Sequence, residues 1–287
     1  MELNYCDLLH GGFGFWAFLL QASNIADKPK YLQSQLNALA AIAVDLPEGR
    51  NWKINSSFFK IKDEEKLTVD PHTSVHLGMA HGIAGILNLI AKTRIAGFYT
   101  TETETNIHGG LQLITSLKNK YASTQGCYPG SITNGTAATG SRMAWCHGDL
   151  GIAVCFWFAW KATGKEDYKH EAIRILDFSC TLSYNDSGVK DAGLCHGSAG
   201  VAQIFRRMYW ETGNLRYLEA SNKWIQSTLD FARYPDGYAG YKTFRPGEFG
   251  GPHAEYGLLS GISGIGLSLL SALSNEPTDW DSVLLIS

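Results

Sequence analysis

The sequence lacks the features that mark nucleic-acid-binding and membrane-spanning proteins. Only 18% of its 287 residues are charged, the formal net charge is −3, and no long basic run is present. An electrostatic footprint for nucleic acid or an anionic membrane is therefore missing. No uninterrupted apolar stretch approaches the roughly 20 residues that a membrane helix needs. The early apolar segment 13–20 follows Glu2 and Asp7 rather than lysine or arginine, which disfavours a signal peptide.

A Cys-x-x-Cys pair is also absent, although the chain has six cysteines. This absence argues against a zinc finger or a zinc ribbon. A chain of this length buries enough core to fold without disulfide staples, and it has no secretion signal. We therefore expect free thiols, a cytoplasmic location, no membrane span and no nucleic-acid partner.

One motif recurs five times and predicts the fold. It consists of His or Ser, then Gly-x-x-Gly and an apolar run, and it begins at His10, His81, His147, His196 and Ser260. The runs are apolar almost all round, which is typical of helices buried on every side. Between them lie amphipathic stretches at 30–44, 106–121, 167–183 and 215–233. Buried helices alternating with surface helices, without alternating strand patterns, predict an all-α, α/α toroid in which residues 1–287 form one domain.

Aligning the five motifs places two thiols and several imidazoles at one level of the ring. The residue before each motif is Leu9, Ala80, Cys146, Cys195 or Leu259. Thiolate and imidazole together suit zinc, and Cys146, Cys195 and His196 would leave the fourth position open, as in catalytic sites. By contrast, we interpret Cys155 and Cys180 as core residues, and Asp149 as a complement to the dipole of its helix. For His10 and His147 we favour hydrogen bonds at helix ends. The loops 45–71, 126–140 and 236–252 each precede a buried helix and should gather at one rim.

The segments Ala144–Gly148 and Gly193–Gly197 closely resemble the zinc motifs of the lanthionine synthetase C family. The resemblance runs from Tyr5 to about Leu273. It implies an α/α toroid that cyclises a dehydrated precursor peptide by adding cysteine thiols to dehydroalanine or dehydrobutyrine. It implies zinc as cofactor, with Cys146, Cys195 and His196 as ligands, and it admits a lanthipeptide dehydratase as a second partner.

The same resemblance assigns catalytic roles to three further residues, His81, Asp7 and Arg142. His81 would protonate the α-carbon, Asp7 would orient or charge His81, and Arg142 would stabilise the enolate. The family ring has more inner helices than the five counted here, and family cyclases have helices before the aspartate that corresponds to Asp7. We therefore expect a ring that is incomplete at the N-terminus, or one that closes in another way. Where the family often has tyrosine, this chain has His147.

Three alternatives stay open at this point. A relative could add glutathione or another small thiol to dehydro residues in proteins. A zinc-stabilised module could bind peptides without turnover. An α/α-barrel glycosidase would need two carboxylates beside the sugar bond, and it would leave the cysteines unexplained.

Overall fold

The computed structural model describes residues 7–9, 11–52, 74–121, 126–137, 142–245 and 250–287. Each Gly-x-x-Gly motif leads into a helix of an inner layer. These helices are α1 (Gly12–Gln21), α3 (Ile83–Ile95), α5 (Asp149–Thr163), α7 (Ser198–Thr212) and α9 (Ile262–Leu273). Almost every residue in the first two or three turns of α3, α5 and α7 is buried. These three helices are buried on both sides, as their apolar runs predicted, whereas α1 and α9 each expose one face, with Phe18, Leu270 and Leu273 on the surface.

Four helices of an outer layer alternate with the inner ones along the chain. They are α2 (Lys28–Ala41), α4 (Thr103–Tyr121), α6 (Glu166–Thr181) and α8 (Leu215–Asp230). In α8 the buried residues Tyr217, Ser221, Trp224 and Thr228 recur at intervals of three or four, so one face packs inward. The turns from α5 and α7 to their outer partners use Gly164 and Gly213 at φ of 72° and 71°, which glycine adopts without strain. The predicted all-α class and α/α toroid are confirmed.

Each motif needs glycine because its helix begins against an earlier carbonyl. A Cβ at Gly200 would lie 1.9 Å from the carbonyl oxygen of Leu194, and one at Gly264 would lie 1.9 Å from that of Leu258. The second glycine of the other motifs meets the carbonyl six residues earlier in the same way. Any side chain there would push the helix away from the segment that precedes it. The repeated glycines therefore fix how close each motif residue lies to its helix.

A belt of backbone hydrogen bonds joins neighbouring motifs around the ring. The N–H of Leu8 donates to the carbonyl of Ala80, and the N–H of Ala80 donates to that of Cys146. Cys146 then donates to Cys195, and Cys195 to Leu259, at 3.2 and 2.8 Å. Four of these five positions are those of the sequence alignment. In the first motif Leu8, one residue before the aligned Leu9, makes the bond.

Short antiparallel strands occupy the loops that precede the inner helices. Strands β1 (Ala43–Leu46) and β2 (Gly49–Trp52) form one hairpin. Strand β3 (Ser74–His76) pairs with β4 (Ser131–Thr133), which pairs with β5 (Thr136–Ala137). Strands β6 (Thr243–Arg245) and β7 (Gly251–His253) form a third small sheet. The β3–β4 pair joins the loops before α3 and α5, so these two loops lie at the same rim.

A C-terminal segment completes the packing between α9 and α1. The 3₁₀ helix Trp280–Leu284 contacts α1, and its Trp280 Nε1 donates to Ser271 Oγ of α9 at 2.7 Å. Asp281 is fully buried and accepts hydrogen bonds from Arg207 and Gln203 of α7 at 2.8 and 2.7 Å. This segment therefore links the last inner helix to the first. Among the described residues, no helix is long and apolar enough to span a bilayer.

Candidate active site

Three of the predicted site residues meet where α5 and α7 begin. The ligand atoms of Cys146, Cys195 and His196 all lie within 4.8 Å of one another. The backbone bond from Cys146 N–H to the Cys195 carbonyl holds the two cysteines side by side. Zn–S bonds near 2.3 Å require sulfurs about 3.8 Å apart in a tetrahedral site, which this spacing allows. The donor set of two sulfurs and one imidazole therefore fits zinc.

The sulfurs of Cys146 and Cys195 are hydrogen-bonded to each other, and this contact shifts their pKa values in opposite directions. A hydrogen bond from the Cys195 thiol, aided by His196 and the charge of Arg142, holds the pKa of Cys146 well below its usual value. The same hydrogen bond, together with burial, raises the pKa of Cys195. Arg142 Nη2 lies 3.7 Å from Cys146 Sγ, so one guanidinium faces this sulfur. A divalent cation would displace the remaining thiol proton and balance the charge of the two thiolates.

The remaining described cysteines lie outside this cluster. Cys155 is fully buried in α5, and burial raises its pKa. Cys180 is partly buried, and burial raises its pKa to about 11. Both agree with the core positions predicted for them. Burial likewise raises the pKa of Cys127 to about 12, which keeps its thiol protonated at neutral pH. Cys6 and His10 lie outside the described residues.

Asp7 and His81 form a second polar group beside the cysteines. His81 Nδ1 and Asp7 Oδ2 are hydrogen-bonded, and Asp7 Oδ1 also accepts the N–H of Leu9 at 2.8 Å. The His81 ring stacks on that of His147, with centroids 5.5 Å apart. Burial lowers the pKa of His147 to about 4, so this ring is neutral at pH 7. His81 is thus held by a carboxylate, and it is not one of the three residues that could share an ion.

Two buried carboxylates, those of Asp149 and Asp191, hold the rim loops in place. This role was not predicted from the sequence for either residue. Asp149 accepts the backbone N–H groups of Cys127 and Tyr128 at 2.6 and 3.1 Å. It therefore ties a rim loop to the start of α5, beyond the dipole interaction expected of it. Asp191 does the same for β6, through Thr243 Oγ1 at 3.0 Å and Phe244 N–H at 2.8 Å.

A second aligned position in the repeats also holds polar residues, most of which were not recognised from the sequence. The positions four residues before Ala80, Cys146, Cys195 and Leu259 hold His76, Arg142, Asp191 and Glu255. All four are polar and lie in or beside the site, although only Arg142 was singled out. The alignment used to find the cysteines would have shown the whole set.

A groove of about 510 Å³ opens next to this cluster. Its lining includes Arg142, His196, Phe244, Arg245 and Glu255. Two of these lining residues, Arg245 and Glu255, form an ion pair with each other. The groove therefore gives a molecule from solvent a path to the ligand cluster, with apolar and charged surfaces along the way.

A sequence model of the lanthionine synthetase C-like proteins matches residues 2–285. The chain belongs to this family. Curated relatives include "Glutathione S-transferase LANCL1" of Danio rerio, 23% identical over 79% of this chain, and "LanC-like protein GCL1" of Arabidopsis thaliana, 29% identical over 74%. Those alignments cover 52% and 44% of the two relatives, so this lanthionine synthetase C-like chain spans about half the length of the curated relatives it matches.

Solved structures show how widely the fold is shared. Nisin cyclase superposes with a TM-score of 0.72 at 18% identity, covering all of this chain and 68% of that one. A D-mannose isomerase superposes with a TM-score of 0.56 at 13% identity, covering 87% of this chain and 63% of the other. These two proteins carry different names for their reactions on one architecture. The fold alone therefore does not specify the chemistry, and the site residues must.

Proposed function

We propose that this chain is a zinc-dependent enzyme that adds cysteine thiols of a dehydrated precursor peptide to dehydroalanine or dehydrobutyrine. The products would be lanthionine and methyllanthionine thioether rings. One observation carries the proposal: a Cys146–Cys195–His196 cluster lies beside the hydrogen-bonded Asp7–His81 pair. We propose further that residues 1–287 act as one toroid domain and that the protein works in the cytoplasm.

Cys146, Cys195 and His196 would hold the ion, and three protein ligands leave one position for substrate. When bound, zinc supplies a Lewis acid that favours the thiolate form of a substrate thiol. The backbone belt keeps the two cysteines paired and limits the reorganisation that metal binding needs. The groove beside His196 would admit the peptide, with Phe244 offering an apolar contact.

The chain's other residues account for the proton and the charge. As the substrate sulfur bonds to the β-carbon, the electron pair of the double bond moves to the carbonyl oxygen and gives an enolate. Arg142 places a guanidinium near the sulfur of Cys146, where it can balance that negative charge. His81 would deliver a proton to the α-carbon, and Asp7 accepts its Nδ1–H and so orients the ring. The thiol proton leaves to solvent and His81 regains a proton from solvent, so atoms and charge balance.

The metal is tested by elemental analysis of purified protein. Wild type should contain about one zinc per chain, and Cys195→Ala should lose it, because two remaining ligands rarely hold zinc tightly. Cys180→Ala is the matched control, since this cysteine lies on an outer helix, and it should keep its zinc. Folded wild type without zinc, or a fully loaded Cys195→Ala protein, would show that the ion is not held here.

The reaction is tested with dehydrated peptides that contain free cysteine. Cyclisation leaves the mass unchanged, so a thiol-alkylating reagent must be added before mass spectrometry. Loss of alkylation after incubation with zinc-loaded wild type supports ring formation. Unchanged alkylation with every peptide tested, despite tight peptide binding, would instead indicate a zinc-stabilised binding module.

A second candidate is addition of a small thiol such as glutathione to dehydro residues in proteins. The name of the Danio rerio relative, a glutathione S-transferase, motivates it, and the chemistry at the site would be the same. A protein that contains dehydro residues, when incubated with this chain and glutathione, would then gain the mass of one glutathione for each residue modified. Comparing the rates of the two reactions under one set of conditions decides between them.

A further inference from the structure

Asp191 is a fully enclosed carboxylate beside the candidate ligand His196. It is 2% exposed and belongs to the segment just before α7. Its Oδ1 accepts the N–H of Gly193 at 2.9 Å, and its Oδ2 accepts from Thr243 and Phe244. The same Oδ2 lies 3.8 Å from His196 Nε2. These three donors are neutral, so they solvate the carboxylate without cancelling its charge.

The position of this charge distinguishes the two nitrogens of the His196 ring. A negative charge in a buried site acts strongly on nearby dipoles, because little water screens it. It therefore favours a proton on Nε2, the nitrogen that faces it. With the proton on Nε2, Nδ1 is the ring nitrogen whose lone pair is left to bind a metal. Metal-ligating histidines commonly donate their other N–H to a carboxylate, which fixes the tautomer.

We propose that Asp191 is a positioning residue that holds His196 with Nε2–H towards the carboxylate and Nδ1 towards the metal. Through Thr243 and Phe244 the same carboxylate ties the β6 side of the groove to a metal ligand. Asp191 touches neither substrate nor reacting atoms, so it acts through His196. The proposal rests on the metal site of the proposed function and not on the thiol addition.

Zinc affinity separates this role from a merely structural one. Asp191→Asn removes the charge at nearly constant shape, and Thr243→Val removes a hydrogen bond to the same carboxylate but keeps the charge. Competition with a chromophoric chelator should give about 10–100-fold weaker zinc binding for Asp191→Asn, the usual cost of losing such a partner. Thr243→Val should bind zinc like wild type, even where its thermal unfolding temperature falls. Equal affinity of wild type and Asp191→Asn would overturn the proposal.

A measurement on wild type keeps the proposal testable even where Asp191→Asn does not fold. Protein labelled with ¹⁵N-histidine is loaded with zinc, and long-range proton–nitrogen correlation spectra identify the histidine whose signals change on chelation. We expect metal on Nδ1 and a proton on Nε2. Metal on Nε2 would refute the role of Asp191 and leave the zinc site intact. Absence of zinc binding by wild type would instead reject the metal site itself, and this proposal with it.

Discussion

Replacing His81 tests whether the site holds a metal and performs chemistry with separate residues. His81 bonds to Asp7 and lies outside the group of Cys146, Cys195 and His196. In His81→Asn, the amide can still donate to Asp7 but cannot deliver a proton. We therefore expect zinc content and the helical dichroism spectrum to match wild type. Losing a general acid slows a reaction by about 10²–10⁴-fold, or roughly 2.7–5.4 kcal/mol at 1.36 kcal/mol per tenfold.

The assay is single-turnover loss of thiol alkylation on a dehydrated peptide, with zinc measured on the same samples. His108→Asn is the matched control, because His108 lies on α4 and bonds to Tyr168 through Nδ1 at 2.9 Å. Asp7→Asn should slow the reaction in the same direction as His81→Asn, since an amide balances a protonated imidazole poorly. Loss of zinc from His81→Asn would mean that His81 is a fourth ligand and that the site is closed. A wild-type rate in that variant would remove His81 from the mechanism.

Two further predictions concern stability. Gly200→Ala should destabilise the protein by about 1–3 kcal/mol, because its Cβ would lie 1.9 Å from the Leu194 carbonyl oxygen. Gly266→Ala, in open space on α9, should stabilise it by about 0.5–1 kcal/mol. Urea unfolding that gives the two variants similar stabilities would contradict the argument that Gly200 is needed for close approach. Burial lowers the pKa of Lys92 to about 7, against 10.5 when unfolded. Between these two pH values the unfolded chain binds more protons than the folded one. The stability of the wild type should therefore rise with pH, by up to about 1.4 kcal/mol per pH unit. In Lys92→Met this rise of stability with pH should vanish. Stability curves of wild type and variant that run parallel from pH 7 to 9 would contradict the prediction.

The sequence predicts the helices well because their signal is local and repeated. Gly-x-x-Gly followed by an apolar run marks each inner helix, and helical periodicity marks the outer ones. The strands of the rim loops were not predicted. They are two to four residues long, too short to show an alternating pattern. The sequence also does not reveal that the buried Asp281 joins α7 to the C-terminal segment, because its partners lie more than 70 residues away.

The candidate site divides in the same way. Cys146, Cys195 and His196 were predicted from the register together with the preference of zinc for thiolate and imidazole, and the structure brings these three residues together. The roles of Asp7 and His81 could be predicted only from the family resemblance. Asp7 precedes the first motif and His81 lies in the second, and the repeat pattern does not indicate that these two residues meet. Asp191 was missed because one of the groups that it binds, Thr243, lies 52 positions away in sequence. The sequence does contain one indication of its role: Asp191 lies four residues before Cys195, just as Arg142 lies four residues before Cys146.

The backbone belt places side chains at the site without specifying their chemistry. Its bonds use only N–H and C=O groups, so they place whatever side chain occupies the register without regard to its chemistry. In this chain two adjacent positions hold Cys146 and Cys195, and the residue after the second is His196. A ring with apolar residues there would keep the belt and lose the ligands, as Ala80 and Leu259 already illustrate within this molecule. The scaffold therefore fixes where these side chains lie, whereas the residues that occupy the register decide which chemical groups are brought together there.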